Sequence, residues 1–361
     1  MVIDSASIRV YFTYKSAFAK AFLQKRFGSS SSREVDSISV LQTANQMLSI
    51  TMLDVNRPET NAAGIPYGCP ADAFLIRVSG EDGEVFLLWD GGKKGQGRQI
   101  IIPYLLARGI TELDAVIVTH PHNDHFGGII DVLNDSRISI RRFIYSPIDD
   151  EIVCRSDDDE NYQFWLELRE RISGLPEVLE LNEAHVGTSL QFGSGLFLDI
   201  VAVPDSEYVN SAPVISLNDC NAVIRLRYGS FTALMPGDCG EIQSEQILRS
   251  PQKSWIESVT LLKAAHHGGD ASTTAEFIRE CGARIVLIPC NDTVVEHRPS
   301  FVQNLHLFSW LGAKVLRADW AHEVQVVTDG NSAECITETD HYGERAWIHW
   351  NPPPSSIITT N

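Results

Sequence analysis

Apolar residues fall into short runs, separated by turn residues, along most of the chain after residue 49. Residues 50–55 predict a strand that enters a loop rich in Asn, Gly and Pro. Residues 73–78 and 84–89 predict a hairpin whose turn lies at 80–83. Residues 113–119, Leu-Asp-Ala-Val-Ile-Val-Thr, are almost continuously apolar and β-branched. Such a run is typical of a strand at the centre of a sheet.

Apolar positions with helical spacing alternate with further strands in the rest of the chain. Helices are predicted over residues 100–108, 162–172, 240–249, 274–281 and 300–311, and another ends at Leu133. Strands are predicted over residues 189–192, 197–203, 222–228, 232–235, 259–265, 284–289, 314–317 and 323–328. Both halves of the chain run from strands to β/α alternation, which indicates a mixed α/β (α+β) fold class.

Composition narrows the function classes. Hydrophobic residues make up 43% and charged residues 21% of the 361 residues, which excludes a disordered chain. No apolar run approaches the roughly 18 residues of a membrane span, so an integral membrane protein is excluded. The net charge of −18 argues against a general nucleic-acid coat protein. Seven of the acids crowd into residues 149–160, which predict a solvated loop.

The charge also divides the chain. Residues 1–33 carry six basic residues and one acid, a net +5, whereas the remainder carries 23 basic and 46 acidic residues, a net −23. We therefore expect a basic leader with its linker over residues 1–48, one domain over 49–350 and a Pro-rich tail over 351–361. No apolar core with a cleavage site follows the basic residues, so a secretory signal is not expected.

The seven cysteines are odd in number and contain no CxxC pair. A disulfide framework and a cysteine zinc finger are therefore not expected. Reduced, mostly buried thiols are typical of a cytoplasmic protein, and this is the expected location.

Three histidines and one aspartate follow the predicted central strand within six residues, as His120, His122, Asp124 and His125. Side chains this close in sequence cannot all share one face of a regular element, so a turn must separate them. We expect His120 and His122 to converge on one point, and Asp124 and His125 on another. Imidazole and carboxylate suit Zn²⁺, Mn²⁺ or Fe, and two adjacent centres suit a dinuclear hydrolytic site.

Two more predicted strands end in candidate ligands. Asp238 follows the strand 232–235, and His266 and His267 follow the strand 259–265. A dinuclear site needs a bridging carboxylate and further ligands, and strand ends at one rim of a sandwich can supply them.

These motifs resemble those of metallo-β-lactamase-fold hydrolases. More narrowly, they are similar to the C-terminal hydrolase domain of the ComEC/Rec2 DNA-uptake proteins and its free-standing relatives. The resemblance spans about residues 49–330 and implies a four-layer αββα sandwich with two divalent metal ions, Zn or Mn, at one rim. It is carried by residues 53–55, 90–92, 103–110, 120–128, 218–228, 237–238, 263–268, 297–299 and 319–330.

The resemblance also implies roles. His120 and His122 would hold the first metal, Asp124 and His125 the second, and Asp238 would bridge them. His267, or alternatively His266, would complete the second site, and the other histidine would position substrate or the leaving group. Asp90 would orient the ligands. The candidate catalytic residues are Asp124, His266, Lys263 and His297, of which the last two would stabilise developing negative charge.

Two features depart from this pattern. Many relatives carry another metal-binding histidine before the bridging aspartate, and this chain offers either His185 or the loop 218–221 there. A long insertion, residues 56–71, also replaces the compact glycine-rich loop of the relatives and is expected to reshape substrate access.

We expect a metal-dependent hydrolase, in which the cations supply hydroxide near neutral pH for attack on phosphorus or a carbonyl carbon. The favoured function is a phosphodiesterase acting on nucleic acid or nucleotides. One alternative is a small-molecule ester, lactone, amide or phosphoester hydrolase. Another is an effector subunit of a larger assembly, such as an anti-phage system, with residues 1–33 binding a protein partner.

Overall fold

The computed structural model describes residues 46–56, 59–60, 66–67, 70–80, 83–269, 272–291, 299–337 and 347–350. The predicted tail, nearly all of the basic leader, most of the insertion 56–71 and the candidate His297 lie outside the described residues. In the part of the chain that is described, no helix is both long and apolar enough to cross a membrane. The six cysteines there are free, and all but Cys154 are buried, as expected.

The described chain alternates short helices and strands. The α-helices are α1 (Ile102–Ala107), α2 (Asn123–Leu133), α3 (Asp150–Ser156), α4 (Asp159–Ile172), α5 (Ser206–Val209), α6 (Glu241–Arg249), α7 (Lys253–Ile256), α8 (Ala275–Cys281), α9 (Pro299–Trp310) and α10 (Ala318–Ala321). A π-helical turn, Gly97–Ile101, precedes α1, and 3-10 turns cover Glu183–His185, Leu217–Asp219 and Ala265–Gly268.

The strands occupy the following ranges: β1 (Met47–Met52), β2 (Glu59–Thr60), β3 (Pro66–Tyr67), β4 (Phe74–Gly80), β5 (Gly83–Trp89), β6 (Glu112–Leu113), β7 (Ala115–Val118), β8 (Ser139–Ile140), β9 (Phe143–Tyr145), β10 (Val178–Glu180), β11 (Ser189–Phe192), β12 (Leu196–Ala202), β13 (Val223–Tyr228), β14 (Phe231–Met235), β15 (Leu261–Lys263), β16 (Ile285–Ile288), β17 (Lys314–Arg317), β18 (Val324–Thr328), β19 (Ala333–Thr337) and β20 (Trp347–Trp350). Most of them lie within a few residues of the predicted strands.

The first large sheet has the strand order β10-β9-β7-β5-β4-β1-β18-β19-β20 within the described residues. The pairs β5–β7, β7–β9 and β9–β10 are parallel, and all pairs in the run β5-β4-β1-β18-β19-β20 are antiparallel. Strand β7 lies inside the sheet and all four of its residues are buried, as its apolar sequence predicts. Because β1 pairs with β18, β18 with β19 and β19 with β20, the first and last described strands belong to one sheet.

The second large sheet has the order β11-β12-β13-β14-β15-β16-β17 in the same described part. Strands β11 to β14 pair antiparallel, and β14 to β17 pair parallel. The parallel strands β14 and β15 therefore end at the same edge, where Asp238 and the His266–His267 pair follow them.

Three hydrophobic layers hold the elements together. Ile76 of the first sheet and Leu226 of the second pack in the layer between the sheets. On the outer side of the first sheet, Phe126 of α2 and Trp165 of α4 are buried, and Phe277 of α8 is buried against the second sheet. Helices thus cover both outer faces, and the predicted α/β class with a four-layer αββα sandwich is confirmed.

The acidic stretch 149–160 is not the solvated loop that its charge predicted. It forms α3 and the start of α4, and two of its acids cap them: Asp149 Oδ1 accepts from the Glu151 N–H at 2.8 Å, and Asp158 Oδ1 accepts from the Asn161 N–H at 2.8 Å. Negative side chains stabilise helix N-termini, where N–H groups lack partners and the helix dipole is positive.

Helix α2 packs unusually close to the loop after β5. The Gly128 N–H donates to the Gly92 carbonyl at 2.9 Å, and the Gly91 N–H donates to the His125 carbonyl at 2.6 Å. A Cβ added at Gly128 would lie 2.0 Å from the Gly91 carbonyl oxygen. Only glycine at position 128 allows this approach, which holds Asp90 beside the motif.

Replacing Gly128 with alanine should therefore destabilise the fold by about 1–3 kcal/mol, because the helix must move away from a backbone carbonyl. Denaturant unfolding of the full chain measures this change. Gly174→Ala is the matched control, since a Cβ there would come no nearer than 3.7 Å to another atom, the Arg171 carbonyl oxygen. Equal stability of the two variants would contradict the packing argument.

Candidate metal centre

The motif from His120 to His125 covers the turn after β7 and the first residues of α2, at the carboxyl ends of the parallel strands. His122 is the last residue before α2, which begins at Asn123. The buried Asn161 of α4 fixes this turn: its side chain accepts from the Asn123 N–H at 2.7 Å and donates to the Pro121 carbonyl at 2.8 Å. The backbone on both sides of His122 is therefore held by one amide.

His120 and His125 each have one ring nitrogen committed to a polar neighbour. The Thr119 N–H and hydroxyl both donate to the Asp90 carboxylate at 2.9 Å. Because that hydroxyl donates to Asp90, its oxygen is left to accept from His120 Nδ1, 3.1 Å away. His125 Nδ1 lies 2.9 Å from Asp90 Oδ2 and donates to it. The Nε2 atom of each ring remains for a ligand.

His267 and His122 each have one ring nitrogen near another carboxylate, but neither contact has the hydrogen-bond geometry that His125 has with Asp90. His267 Nδ1 lies 3.1 Å from Asp72 Oδ1, and His122 Nε2 lies 3.4 Å from Asp157 Oδ2. The remaining nitrogens are His267 Nε2 and His122 Nδ1.

These remaining nitrogens form two groups. His120 Nε2 and His122 Nδ1 lie 2.8 Å apart. In the second group, His125 Nε2 lies 3.2 Å from Asp238 Oδ1, and His267 Nε2 lies 3.3 Å from Asp238 Oδ2 and 3.4 Å from Asp124 Oδ2. One ligand atom from each of Asp124, His125, Asp238 and His267 lies within 4.8 Å of all the others. The structure thus brings together the two groups expected from the motif.

Asp238 is fixed from two sides. Its N–H donates to Asn221 Oδ1 at 2.9 Å, and its Oδ1 lies 3.0 Å from Lys263 Nζ. The Lys263 ammonium also donates to the Gly237 carbonyl at 2.8 Å and contacts Asp72 Oδ2 at 2.5 Å. Lys263 is only 1% exposed, so its charge lies inside the site between two carboxylates.

Burial and neighbouring charges set the protonation states. Burial, together with the charges of His125 and His122, holds the pKa of His120 well below its usual value, which keeps the ring in the neutral form that binds metals. Burial would raise the pKa of Asp238, but the charges of His125, His267 and Lys263 outweigh it and hold that pKa well below its usual value. Burial opposes protonation of His267, yet Asp238 and Asp72 raise its pKa to about 10.

His266 lies beside the second group. It is half-buried, and its Nε2 is 3.5 Å from Asn218 Nδ2. The backbone φ angles of His266 and His267 are 46° and 54°, a left-handed conformation that non-glycine residues rarely adopt. Of the two alternatives for completing the first group, the loop 218–221 lies at the site, whereas His185 Nδ1 contacts Asn182 within its own turn, at 3.0 Å.

Sequence reasoning assigned no role to Asp72 or Asp157. Asp72 is 1% exposed and touches both Lys263 and His267; its only sequence signal is an acid just before β4, at the end of the insertion. Asp157 belongs to a run of seven acids, and the sequence does not show which acid of such a run faces the site.

The donor set fits divalent metal ions. The buried His125 Nε2 and His267 Nε2 have no hydrogen-bond partner among the described residues, and both face carboxylate oxygens. Buried polar atoms without such partners are rare and call for an explanation. Imidazole nitrogen with carboxylate oxygen is a ligand set of Zn²⁺, Mn²⁺ or Fe, and the paired outer nitrogens are typical of metal-binding histidines.

Comparison with known proteins agrees with this reading. Residues 66–144 match the Metallo-beta-lactamase superfamily, which confirms the predicted resemblance and, at the level of the superfamily, the predicted enzyme class. The chain is 24% identical over 237 residues to ComE operon protein 3 of Bacillus subtilis (strain 168). The match covers 63% of this chain and 26% of that protein, so the chain spans about a quarter of the relative's length.

Solved structures with detectable similarity include the metallo-beta-lactamase fold protein YhfI from Bacillus subtilis, at 15% identity and a TM-score of 0.45. That alignment covers 75% of this chain and 96% of YhfI. Another is a diphosphatase from the PhnP family, at 13% identity and a TM-score of 0.38, covering 66% of this chain and 85% of that one.

The full chain should bind about two divalent ions, and Asp238→Asn should lose at least one of them, because the substitution removes the buried negative charge beside both His125 and His267. Metal analysis after dialysis against Zn²⁺ or Mn²⁺ measures the content. Asp159→Asn, a change to an exposed acid of α4, is the matched control. Unchanged metal content in Asp238→Asn would rule out its place in the centre.

Proposed function

We propose that this protein is a metal-dependent phosphodiesterase acting on nucleotides or on short nucleic acids. The proposal rests on one observation. The imidazole rings of His125 and His267 both face the buried Asp238 carboxylate, and the buried ammonium of Lys263 lies beside it. The similarity to ComE operon protein 3 agrees with the resemblance to the ComEC/Rec2 DNA-uptake proteins, and that resemblance favours nucleic acid or nucleotides as the substrate class.

In this proposal His120 and His122 would hold the first metal ion. Asp124, His125 and His267 would hold the second, and the Asp238 carboxylate would serve as a ligand to both. When bound, the divalent ions supply a hydrolytic nucleophile at neutral pH and polarise the phosphoryl oxygen.

The remaining residues orient these ligands and complement charge. Asp90 holds the outer nitrogen of His125 through a hydrogen bond, and the Asp72 carboxylate faces that of His267 at 3.1 Å. The Nε2 atom of each ring faces the Asp238 carboxylate. Lys263 offsets the negative charge of Asp238 and Asp72, and its three N–H donors face these two carboxylates and the Gly237 carbonyl. It would therefore act on the substrate only through its charge, not through a direct hydrogen bond. His266 and Asn218, whose side chains lie 3.5 Å apart beside the second group, would contact the substrate or the leaving group.

The ion pairs of four arginines favour small phosphodiesters over duplexes as substrates. These arginines would be candidates for a phosphate-binding surface, but each is paired with a carboxylate. Arg142 lies 2.6 Å from Glu177, and Arg225 and Arg227 share Asp199 at 2.6 and 3.1 Å. Arg141 is likewise paired with Glu112. Tight duplex binding requires clustered cations that can face phosphates, and these four are already partnered.

A second candidate function is hydrolysis of a small-molecule ester, lactone or amide. It is favoured by the insertion 56–71, whose ends are joined where the Asn56 side chain donates to the Ala71 carbonyl at 2.8 Å and accepts from the Ala71 N–H at 2.9 Å. Ala71 directly precedes Asp72, so the insertion is rooted at the site and can restrict which substrates enter.

Purified full chain with Mn²⁺ or Zn²⁺ should cleave bis-p-nitrophenyl phosphate and dinucleotides, and single-stranded oligonucleotides faster than duplexes. Asp238→Asn should reduce the rate by at least about 100-fold, as loss of a group that stabilises charge in the active site typically does. The exposed-site control Asp159→Asn should retain wild-type rates.

Release of p-nitrophenol and gel analysis of labelled oligonucleotides provide the measurements. Cleavage of p-nitrophenyl esters or lactones without any phosphodiester turnover would replace the proposal with the second candidate. If no substrate of either class is hydrolysed above the Asp238→Asn background, both fail. The effector function, with residues 1–33 as a docking arm, would then gain support if deleting those residues abolished a partner interaction.

A further inference from the structure

We infer that Asp157 is a positioning residue for the metal centre, which holds the His122 ring so that its Nδ1 faces His120. The inference rests on the proposed metal centre. It gives one acid of the stretch 149–160 a function that is independent of surface charge.

The two nitrogens of His122 have different neighbours. Nδ1 lies 2.8 Å from His120 Nε2, inside the first group, whereas Nε2 lies 3.4 Å from Asp157 Oδ2. A ring that donates its outer N–H to a carboxylate has a fixed tautomer and orientation, and it is a stronger metal donor. Asp157 faces the outer nitrogen of His122 at 3.4 Å, a longer contact than the 2.9 Å hydrogen bond between His125 and Asp90. If His122 used Nδ1 as a metal ligand, its proton would be on Nε2, the nitrogen that faces this carboxylate.

The carboxylate of Asp157 is itself oriented by the backbone. Its Oδ1 accepts from the Asp158 N–H at 2.8 Å, which leaves Oδ2 toward His122. Asp157 lies between the end of α3 and Asp158, whose side chain caps α4. Its position is therefore set by two helices.

The same helix terminus also controls the backbone of His122. Asn161, in the first turn of α4, bonds to Pro121 and Asn123 on either side of His122. Asn161 consequently fixes the backbone around one ligand, and Asp157 faces the ring of that same ligand. The other three site histidines have outer partners that are buried; the side chains of His122 and Asp157 are 23% and 28% exposed. A partly solvated ring needs such a contact more than a ring packed on all sides.

Asp157 acts through His122 and is not itself a ligand in this inference. Its carboxylate lies on the side of the ring opposite Nδ1, and the close groups of potential ligand atoms in the described residues involve Asp72, Asp90, Asp124 and Asp238.

The test measures metal affinity of the metal-free full chain by competition with a chromophoric chelator. Asp157→Ala should weaken one of the two Zn²⁺ equivalents by about 10–100-fold, the usual cost of losing an outer partner of a metal-binding histidine. The other equivalent should stay within about threefold. Asp157→Asn should fall between, because its amide oxygen can still accept from Nε2. The neighbouring exposed acid provides the control, Asp159→Asn, which should bind as wild type.

Two further readouts separate positioning from general destabilisation. The visible absorption of the Co²⁺-substituted protein should change in Asp157→Ala, while the unfolding midpoint of the metal-free protein should not. In a His122→Ala background, Asp157→Ala should have no additional effect on metal affinity. Wild-type affinity for both equivalents in Asp157→Ala, or an equal effect in the His122→Ala background, would overturn the inference, as would failure of the wild type to bind metal. Metal binding without phosphodiester turnover would overturn the proposed function alone.

Discussion

The structure depends on the burial of charge at the edge of the two sheets. Asp72, Asp90 and Asp238 are each about 1% exposed, and they share the space with His125, His267 and Lys263, which are equally buried. A buried charge costs several kcal/mol unless it is paired and hydrogen-bonded. Opposite charges therefore have to meet within a few ångströms, and that requirement explains why residues far apart in sequence end at one point.

The sandwich meets this requirement through its parallel strands. The carboxyl ends of β7, β14 and β15 each deliver part of the cluster, and Asp90 follows β5 in the first sheet. The two sheets contribute three residues each. Asp72, Asp90 and His125 adjoin strands of the first sheet, and Asp238, Lys263 and His267 belong to or follow strands of the second. Any change in how the sheets pack would separate these charges, so the core between the sheets and the site are energetically coupled.

Much of this could be predicted from the sequence. Continuous apolar runs identified β7, β14 and β16, because a strand buried on both faces has little choice of residue type, and the spacing of His120, His122, Asp124 and His125 indicated two groups of ligands. Lys263 could be identified as a candidate, but its burial could not be predicted, because a lysine in a strand can equally face solvent. Asp72 was missed because the insertion separates it from Asp54, and Asp157 because helix capping and ligand positioning leave no trace in a run of acids. A local sequence pattern gives no information about contacts between segments that are far apart in the chain.

The left-handed backbone at His266 and His267 has a consequence for how this protein can evolve. Each non-glycine residue held in that conformation costs of the order of 1–3 kcal/mol. Selection for stability alone would favour glycine at both positions, yet glycine offers no imidazole. In this short turn, stability of the backbone therefore favours glycine, whereas the proposed metal centre requires histidine. A lineage that lost the chemistry would be expected to relax these two positions early, while retaining the sandwich almost unchanged.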